Sequence, residues 1–453
     1  MIQRKLKFDR ALLPAGWAQG VEVSVGEDGL ITGVAAGVGG GSPDGVLAIP
    51  GMANLHSHAH QRLMQGLAER AGPGPDSFWT WREVMYGFAL RLSPDDLEAV
   101  AAQLYAEMLE AGFTAVGEFQ YLHHQPDGRP YDNPAELSLR CLAAAEQAGI
   151  AITLLPVLYS HGGFGGQPPS EGQRRFITKP EGFLDIHERL ASASAGRQDV
   201  CLGMAPHSLR AVTQEGLTAV LAGRSMPGPI HIHVAEQVKE VDDCLTWCGE
   251  RPVEHLLKHY PADRHWCAIH ATQMTADETR DLAASGVIAG LCPLTEANLG
   301  DGIFPAPSFI GSGGTFGIGS DSHISVSVAE ELRMLEYSQR LRDRTRNALA
   351  DGPLQSTGRS LFDRALAGGA QALGQPMGAI AVGRRADIVV LNPEDPGLMG
   401  RSGDAALDSW IFSVGNRAVK DVYCGGHLAV RQGRHINAET IRNRFLKTVE
   451  RLS

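Results

Sequence analysis

From residue 50 to about 321 the chain alternates short apolar runs with longer stretches of helical character, which is the pattern of a parallel sheet wrapped by helices. Eight apolar runs, 52–58, 113–119, 151–158, 200–206, 229–235, 265–271, 286–292 and 315–321, predict eight strands and therefore a closed (β/α)8 TIM barrel, an α/β fold. Helix-start signals support the alternation independently. Ser93 precedes Pro94 at a first helical position, and Thr275 is followed three residues later by Glu278 as a capping box. Between the first two strands, 60–92 reads as a long loop with helical pieces that can cover a site; it contains Gly72-Pro73-Gly74-Pro75 and the aromatics Phe78, Trp79 and Trp81.

The two ends of the chain differ from the middle. Short, glycine-punctuated strands such as Val21-Glu22-Val23-Ser24-Val25 and Asp387-Ile388-Val389-Val390-Leu391 recur there. Residues 1–49 and 376–435 are therefore expected to pair into one small β-sandwich-like domain, with 50–375 as the barrel and 436–453 as a C-terminal helix. No tandem repeat, low-complexity tract or heptad pattern is visible.

Composition narrows the function. With 453 residues, 43% hydrophobic and 20% charged, the chain has the make-up of a soluble globular enzyme with a large core. A formal charge of -11 and the lack of any long Lys/Arg run argue against nucleic acid as a partner. The opening MIQRKLKFDR has no apolar run behind its basic residues, and no uncharged stretch approaches membrane-spanning length, so the expected location is the cytoplasm with no membrane partner. Seven scattered cysteines read as reduced thiols rather than a disulfide framework. Cys244 and Cys248, four apart near helical sequence, suggest half of a metal site, but no second cysteine pair accompanies them and buried apolar packing is expected for both.

The chemistry gathers at strand ends. His56-Ser57-His58 closes the first strand, and period-two geometry points both imidazoles to the same side. Alone, such a pair reads equally well as exposed or hydrogen-bonded histidines. His233 closes the fifth strand, with His231 one pleat deeper in a packing or supporting role and Glu236 in the following loop. His270 ends the sixth strand, and Asp321, within Gly319-Ser320-Asp321-Ser322-His323, ends the eighth. All lie where barrel enzymes build their active sites. Three imidazoles and a carboxylate suit a zinc ion with one position left for water, which makes His56, His58, His233 and Asp321 the expected ligands.

On these residues the chain resembles the amidohydrolase superfamily, with Pro50 to His58 matching its first-strand motif and Gly383 to Leu391 its return into the β domain. The His233-x-x-Glu236 spacing is similar to the mononuclear deaminases, and the fourth strand end, Gly203 to Arg210, shows no lysine to bridge two metals. One zinc per chain is therefore expected. More narrowly, Leu55 to Arg62, Ala205 to Arg210, His231 to Gln237 and Thr295 to Gly302 resemble the formiminoglutamate deiminase family of histidine degradation. That resemblance implies hydrolysis of N-formimino-L-glutamate to N-formyl-L-glutamate and ammonia, by a homodimer. It assigns a proton-accepting role to Asp321, an orienting role to His270 and proton delivery to Glu236, and it turns Gln61, Arg82, Tyr121, His207 and Arg210 towards substrate. Guanidinium partners suit a dicarboxylate. Two other readings stay open: a deaminase of purine, pyrimidine or triazine rings, whose pocket would be a flat apolar slot, and a catalytically inactive scaffold on the same fold.

Overall fold

The computed structural model describes residues 2–71, 78–352 and 355–452, so the turn expected at Gly72 to Pro75 lies outside the described residues. The chain begins with β1 (Ile2–Leu13), β2 (Gly16–Gly26), β3 (Ile31–Ala35) and β4 (Gly45–Pro50). In β2, Val21, Val23 and Val25 are buried while Glu22 and Ser24 are less so, the period-two signature of a strand with one face on a core.

The barrel strands follow as β5 (Met52–Ser57), β6 (Phe113–Gln120), β7 (Ala151–Leu158), β8 (Val200–Leu202) with β9 (Ala205–Pro206), β10 (Ile230–Val234), β11 (Trp266–His270), β12 (Ile288–Leu291) and β13 (Phe316–Ile318). β8 and β9 are two pieces of one barrel position, since both pair with β7. Every strand pairing in the barrel is parallel. Bridges at Met204–Ile230 and Ser57–Asp321 join the two halves into a closed ring. Parallel strands buried on both faces read as continuous apolar runs, which is why they were visible in the sequence. Leu55 points into the barrel, and Gly290 and Gly317, on the two strands that lead round to its own, make room for it: a Cβ at either would stand 2.9 or 2.5 Å from a Leu55 methyl group.

The chain then returns to the first sheet through β14 (Ile388–Leu391), β15 (Val419–Cys424), β16 (His427–Arg431) and β17 (Arg434–His435). One eight-stranded sheet results, in the order β17-β16-β15-β14-β4-β1-β2-β3. Phe8 of β1 and Tyr423 of β15 stand three strands apart, roughly 14 Å in a flat sheet. Their rings meet edge-on at 6.3 Å, so the sheet curls over its own core, Leu6, Phe8, Val23 and Ile388 among it.

The helix Pro94–Glu110 opens with the expected cap, reinforced by a Ser93–Asp96 box, and Thr275–Glu278 caps the helix Ala276–Ser285. The closing helix Ala438–Leu452 is tied to Pro94–Glu110 by the Arg444–Glu98 pair at 2.8 Å. Among the described residues no helix is long and apolar enough to cross a membrane. All seven cysteines are free; Cys244 is buried but Cys248 is exposed, so apolar packing holds for the first and not for the second. Cys248 ends a helix on the turn facing solvent, a position that spacing alone does not reveal.

Candidate metal centre and active-site pocket

Strand register brings the four expected ligands together. His56 lies in β5 and His58 one residue beyond it; His233 is in β10, and Asp321 follows β13 where the last strand closes on the first. The Asp321 N–H donates to the His56 carbonyl at 3.0 Å and the His58 N–H to the Asp321 carbonyl at 3.3 Å. His56 Nε2 approaches His58 Nε2 and His233 Nε2, each at 3.1 Å, and Asp321 Oδ1 stands 3.5 and 3.3 Å from the His56 and His58 nitrogens. All four residues are buried, and their donor atoms lie within 4.8 Å of one another.

Two observations bear on whether this ring suits a metal ion. Burial, with the neighbouring imidazoles adding to it, drives the pKa of His56 and His233 well below the usual range, so both are neutral, as ligands must be. Carbonyls then fix the tautomers: His58 Nδ1–H donates to Phe119 O at 3.0 Å and His233 Nδ1–H to His207 O at 3.0 Å, leaving each Nε2 lone pair facing the ring. A neutral three-imidazole, one-carboxylate set fits zinc or a similar divalent ion. His231 is turned away from the ring, its Nε2–H donating to Ala372 O at 2.8 Å.

The backbone around the ligands is strained. Ala235, His270, Ala271, Asp321 and His323 all have left-handed φ, between 45° and 68°, at the carboxyl ends of three strands. Non-glycine residues held so cost about 1–3 kcal/mol each, and the surrounding hydrogen bonds must hold them there. Glu240 is one such support, accepting the N–H groups of Ala235 at 3.2 Å and Glu236 at 3.1 Å. A second support is buried Glu118, which accepts Ser57 Oγ–H at 2.7 Å, Ala59 N–H at 2.8 Å and Tyr105 O–H at 3.0 Å.

His270 Nε2 stands 3.7 Å from Glu236 Oε1 and 3.8 Å from Asp321 Oδ2, and its Nδ1 is 3.3 Å from Glu296 Oε1. Burial alone would lower the His270 pKa, but Glu236, Glu296 and Asp321 outweigh it and raise it. Burial raises the Glu236 pKa, against the pull of His270 and Arg210. His270 thus stands between the Glu236 and Asp321 carboxylates, with Glu296 behind it.

One pocket opens over the ring. Its walls include ten of the eleven expected site residues: His58, Gln61, Arg82, Tyr121, His207, Arg210, His233, Glu236, His270 and Asp321. His56 lies beneath, fully buried. Gln61 donates to Tyr121 O–H at 3.0 Å, while the Arg82 guanidinium sits 5.5 Å from the centre of the Tyr86 ring. Burial works against the charge of Arg210, yet Glu240, Tyr159 and Glu236 outweigh it and its pKa rises. The helix Phe78–Ala89, from the long first loop, contributes Trp81, Arg82, Met85 and Tyr86 to the walls.

Sequence reasoning missed Tyr159, Phe176, Leu299, Met85 and Tyr86 among the lining residues, and Glu240 and Glu296 behind them. Tyr159 follows β7 directly, so the strand-end rule that found the histidines also reaches it. The others sit on helices and loops with no comparable signal.

A barrel closed on a three-histidine, one-aspartate ring, with a composite sheet from both chain ends, defines the class: the chain matches the amidohydrolase family over residues 47–429 and belongs to it. Within that class it is 54% identical over 448 residues to the formimidoylglutamate deiminase of Pseudomonas aeruginosa, covering 98% of both chains. An amidohydrolase from Brucella melitensis has a crystal structure with TM-score 0.94 and 50% identity, covering 99% of this chain and 100% of that one. An adenosine deaminase from Xanthomonas campestris, solved with bound zinc, shares the fold at TM-score 0.80 and 20% identity, covering 99% and 98% of the two chains.

Proposed function

We propose that the chain hydrolyses N-formimino-L-glutamate to N-formyl-L-glutamate and ammonia, with one zinc ion held by His56, His58, His233 and Asp321. The observation that carries this reading is the pocket itself, in which the ligand ring and the Glu236–His270 pair share one cavity with Arg82 and Arg210. Two guanidinium groups at a distance from the reacting centre suit the two carboxylates of a glutamate derivative. Kinship with the Pseudomonas aeruginosa deiminase, at 54% identity across 98% of both chains, supports the same substrate.

A bound zinc ion supplies Lewis acidity that brings a water molecule close to ionisation at neutral pH. The rest of the chemistry belongs to side chains. Water oxygen adds to the formimino carbon, and Asp321 accepts one of its protons. His270, within 3.7–3.8 Å of both carboxylates, orients the tetrahedral species and passes charge between them. Glu236 delivers two protons in turn to the terminal nitrogen, the one taken up by Asp321 and the one released as the new hydroxyl becomes the formyl carbonyl, so the nitrogen leaves as ammonia because an amide anion is too basic to depart. The carbonyl of the formyl product remains on the glutamate nitrogen. Tyr121, Gln61 and His207 contact the substrate between the two ends of the pocket.

A homodimer, implied by the family resemblance, and a cytoplasmic location belong to the same proposal; sedimentation velocity measures the subunit count. The competing reading, a deaminase of ring amines, draws on the aromatic walls Trp81, Tyr86, Tyr121, Tyr159 and Phe176. Incubation with formiminoglutamate and, in parallel, a panel of purine, pyrimidine and triazine amines separates the two. Ammonia with N-formylglutamate is the expected result. Formamide with glutamate would mean that the other C–N bond is cut, and ammonia from ring amines alone would replace this reading. Protein lacking both zinc and turnover would instead be a scaffold.

A further inference from the structure

Cys244 and Cys248 are half of a metal-binding pattern with no second cysteine pair, and the fold supplies the other half from different residue types. The helix Val238–Cys248 ends at Gly249, whose left-handed φ of 77° turns the chain sharply into the helix Pro252–His259. That turn lays Glu250 and His255 against the end of the first helix. Cys248 Sγ is 3.7 Å from His255 Nδ1, and His255 Nδ1 is 2.8 Å from Glu250 Oε2. His259 Nε2 reaches the same oxygen at 2.8 Å, and Cys244 Sγ lies 4.0 Å from Cys248 Sγ.

The two sulfur spacings are close to those of a coordination shell, while the 2.8 Å between His255 Nδ1 and Glu250 Oε2 is a hydrogen bond that opens to about 3.3 Å around an ion. Metal bonds of about 2.3 Å to sulfur and about 2.1 Å to nitrogen in a tetrahedron place sulfur and nitrogen ligands about 3.6 Å apart, and two sulfurs about 3.8 Å apart. The donor atoms of Cys248, Glu250 and His255 all lie within 4.8 Å of one another. The Glu250 carboxylate is also met by the Lys258 ammonium and by the His259 ring. An ion cluster accounts for Glu250 and its three basic neighbours. The Cys248 thiol back-bonds to the Cys244 carbonyl at 3.4 Å, as a residue at a helix end can, and this holds its solvent-facing sulfur within ligand distance of Nδ1.

We propose that Cys248, Glu250 and His255 form a second metal site, distinct from the barrel ring, for a divalent ion that favours sulfur and nitrogen, such as zinc or cobalt. Cys244 is the nearest further donor. Binding releases the Cys248 thiol proton to solvent and moves the His255 proton from Nδ1 to Nε2, so that Nδ1 and the Glu250 oxygen both face the ion. No oxidation is involved. The site also has a route to the pocket: Trp247, next to Cys248, stacks on Phe164 at 5.4 Å and lines an outer cavity with Arg82 and Arg210. The helix that ends at this site begins two residues after Glu236.

The test uses the zinc-loaded enzyme, washed briefly with a weak chelator, held in a non-thiol reductant and titrated with cobalt(II). The expected result is a near-ultraviolet thiolate-to-cobalt charge-transfer band that saturates at one cobalt per chain. Cys248→Ser and His255→Ala should each abolish it, while circular dichroism and ammonia release report an intact barrel. The barrel ligands contain no sulfur, so loss of the band leaves the proposed reaction untouched, and failure of the reaction leaves the band untouched. Absence of the band in the parent protein would overturn the proposal. So would a band that survives Cys248→Ser, since it would come from another thiolate, Cys292 beside Asp321 being one such group.

Discussion

The carboxylate of Glu240 accepts the backbone N–H of Glu236 at 3.1 Å, which fixes the residue proposed to deliver protons by its main chain rather than its side chain. The neighbouring N–H of Ala235, whose φ is 51°, goes to the other oxygen of the same carboxylate. Glu240 therefore acts as a positioning residue. Glu240→Ala strands two buried donors and relaxes the left-handed turn, at about 1–3 kcal/mol per donor. The expected outcome is a fall in kcat of about ten- to a hundredfold with zinc retained and KM little altered, while Glu240→Gln restores part of the rate. A kcat unchanged in Glu240→Ala would show that the turn holds itself.

Glu236→Gln keeps the side chain's shape and removes its proton. Zinc content should stay at the parent level, and kcat should fall by about 10²–10⁴. Single-turnover kinetics with formiminoglutamate measure this directly. A Gln variant that holds zinc and turns over at the parent rate would transfer the role to His270, which stands 3.7 Å away.

How far the sequence carried the argument depends on the kind of residue. Parallel barrel strands are buried on both faces, so β5, β6 and β7 announce themselves as unbroken apolar runs, and chemistry at their carboxyl ends follows from the architecture. His56, His58, His233 and Asp321 were legible for that reason. Glu296 was not, because it lies in a helix and meets His270 only through the fold, and Glu240 was passed over although it bonds the Glu236 N–H just four residues back. The Cys248 cluster escaped for another reason. A search for a second cysteine pair does not register a glutamate and a histidine brought in by a tight turn at Gly249.

Arg210 is proposed to hold a substrate carboxylate through a charge-assisted bond, roughly twice as strong as a neutral one. Arg210→Met keeps much of the length and loses the charge. KM for formiminoglutamate should rise, and kcat/KM should fall about ten- to a hundredfold, corresponding to ~1.5–3 kcal/mol. The preference for a dicarboxylate over its monoamide should shrink in parallel. Unchanged kinetics with formiminoglutamate would remove Arg210 from recognition and leave Arg82 as the remaining guanidinium in the pocket.

Removing a barrel ligand should separate metal binding from folding. His233 spans the ring from β10, with its Nε2 3.1 Å from that of His56 and its Nδ1 tied to His207 O at 3.0 Å. His233→Ala deletes one of four ligands while the strand pairing of β10 with β11, made by backbone groups, stays in place. Zinc, counted by elemental analysis after a chelator wash that clears any outer ion, should fall from one per chain to near zero, and ammonia release should go with it. The loss should also appear as stability, because an ion bound only by the folded state adds about 4 kcal/mol when its free concentration is a thousand times its Kd. The variant should therefore melt below the zinc-loaded parent and close to the chelated parent, with far-ultraviolet circular dichroism unchanged. A His233→Ala protein that keeps one zinc per chain but has no activity would mean that the ion is held by other residues and that His233 serves the substrate instead.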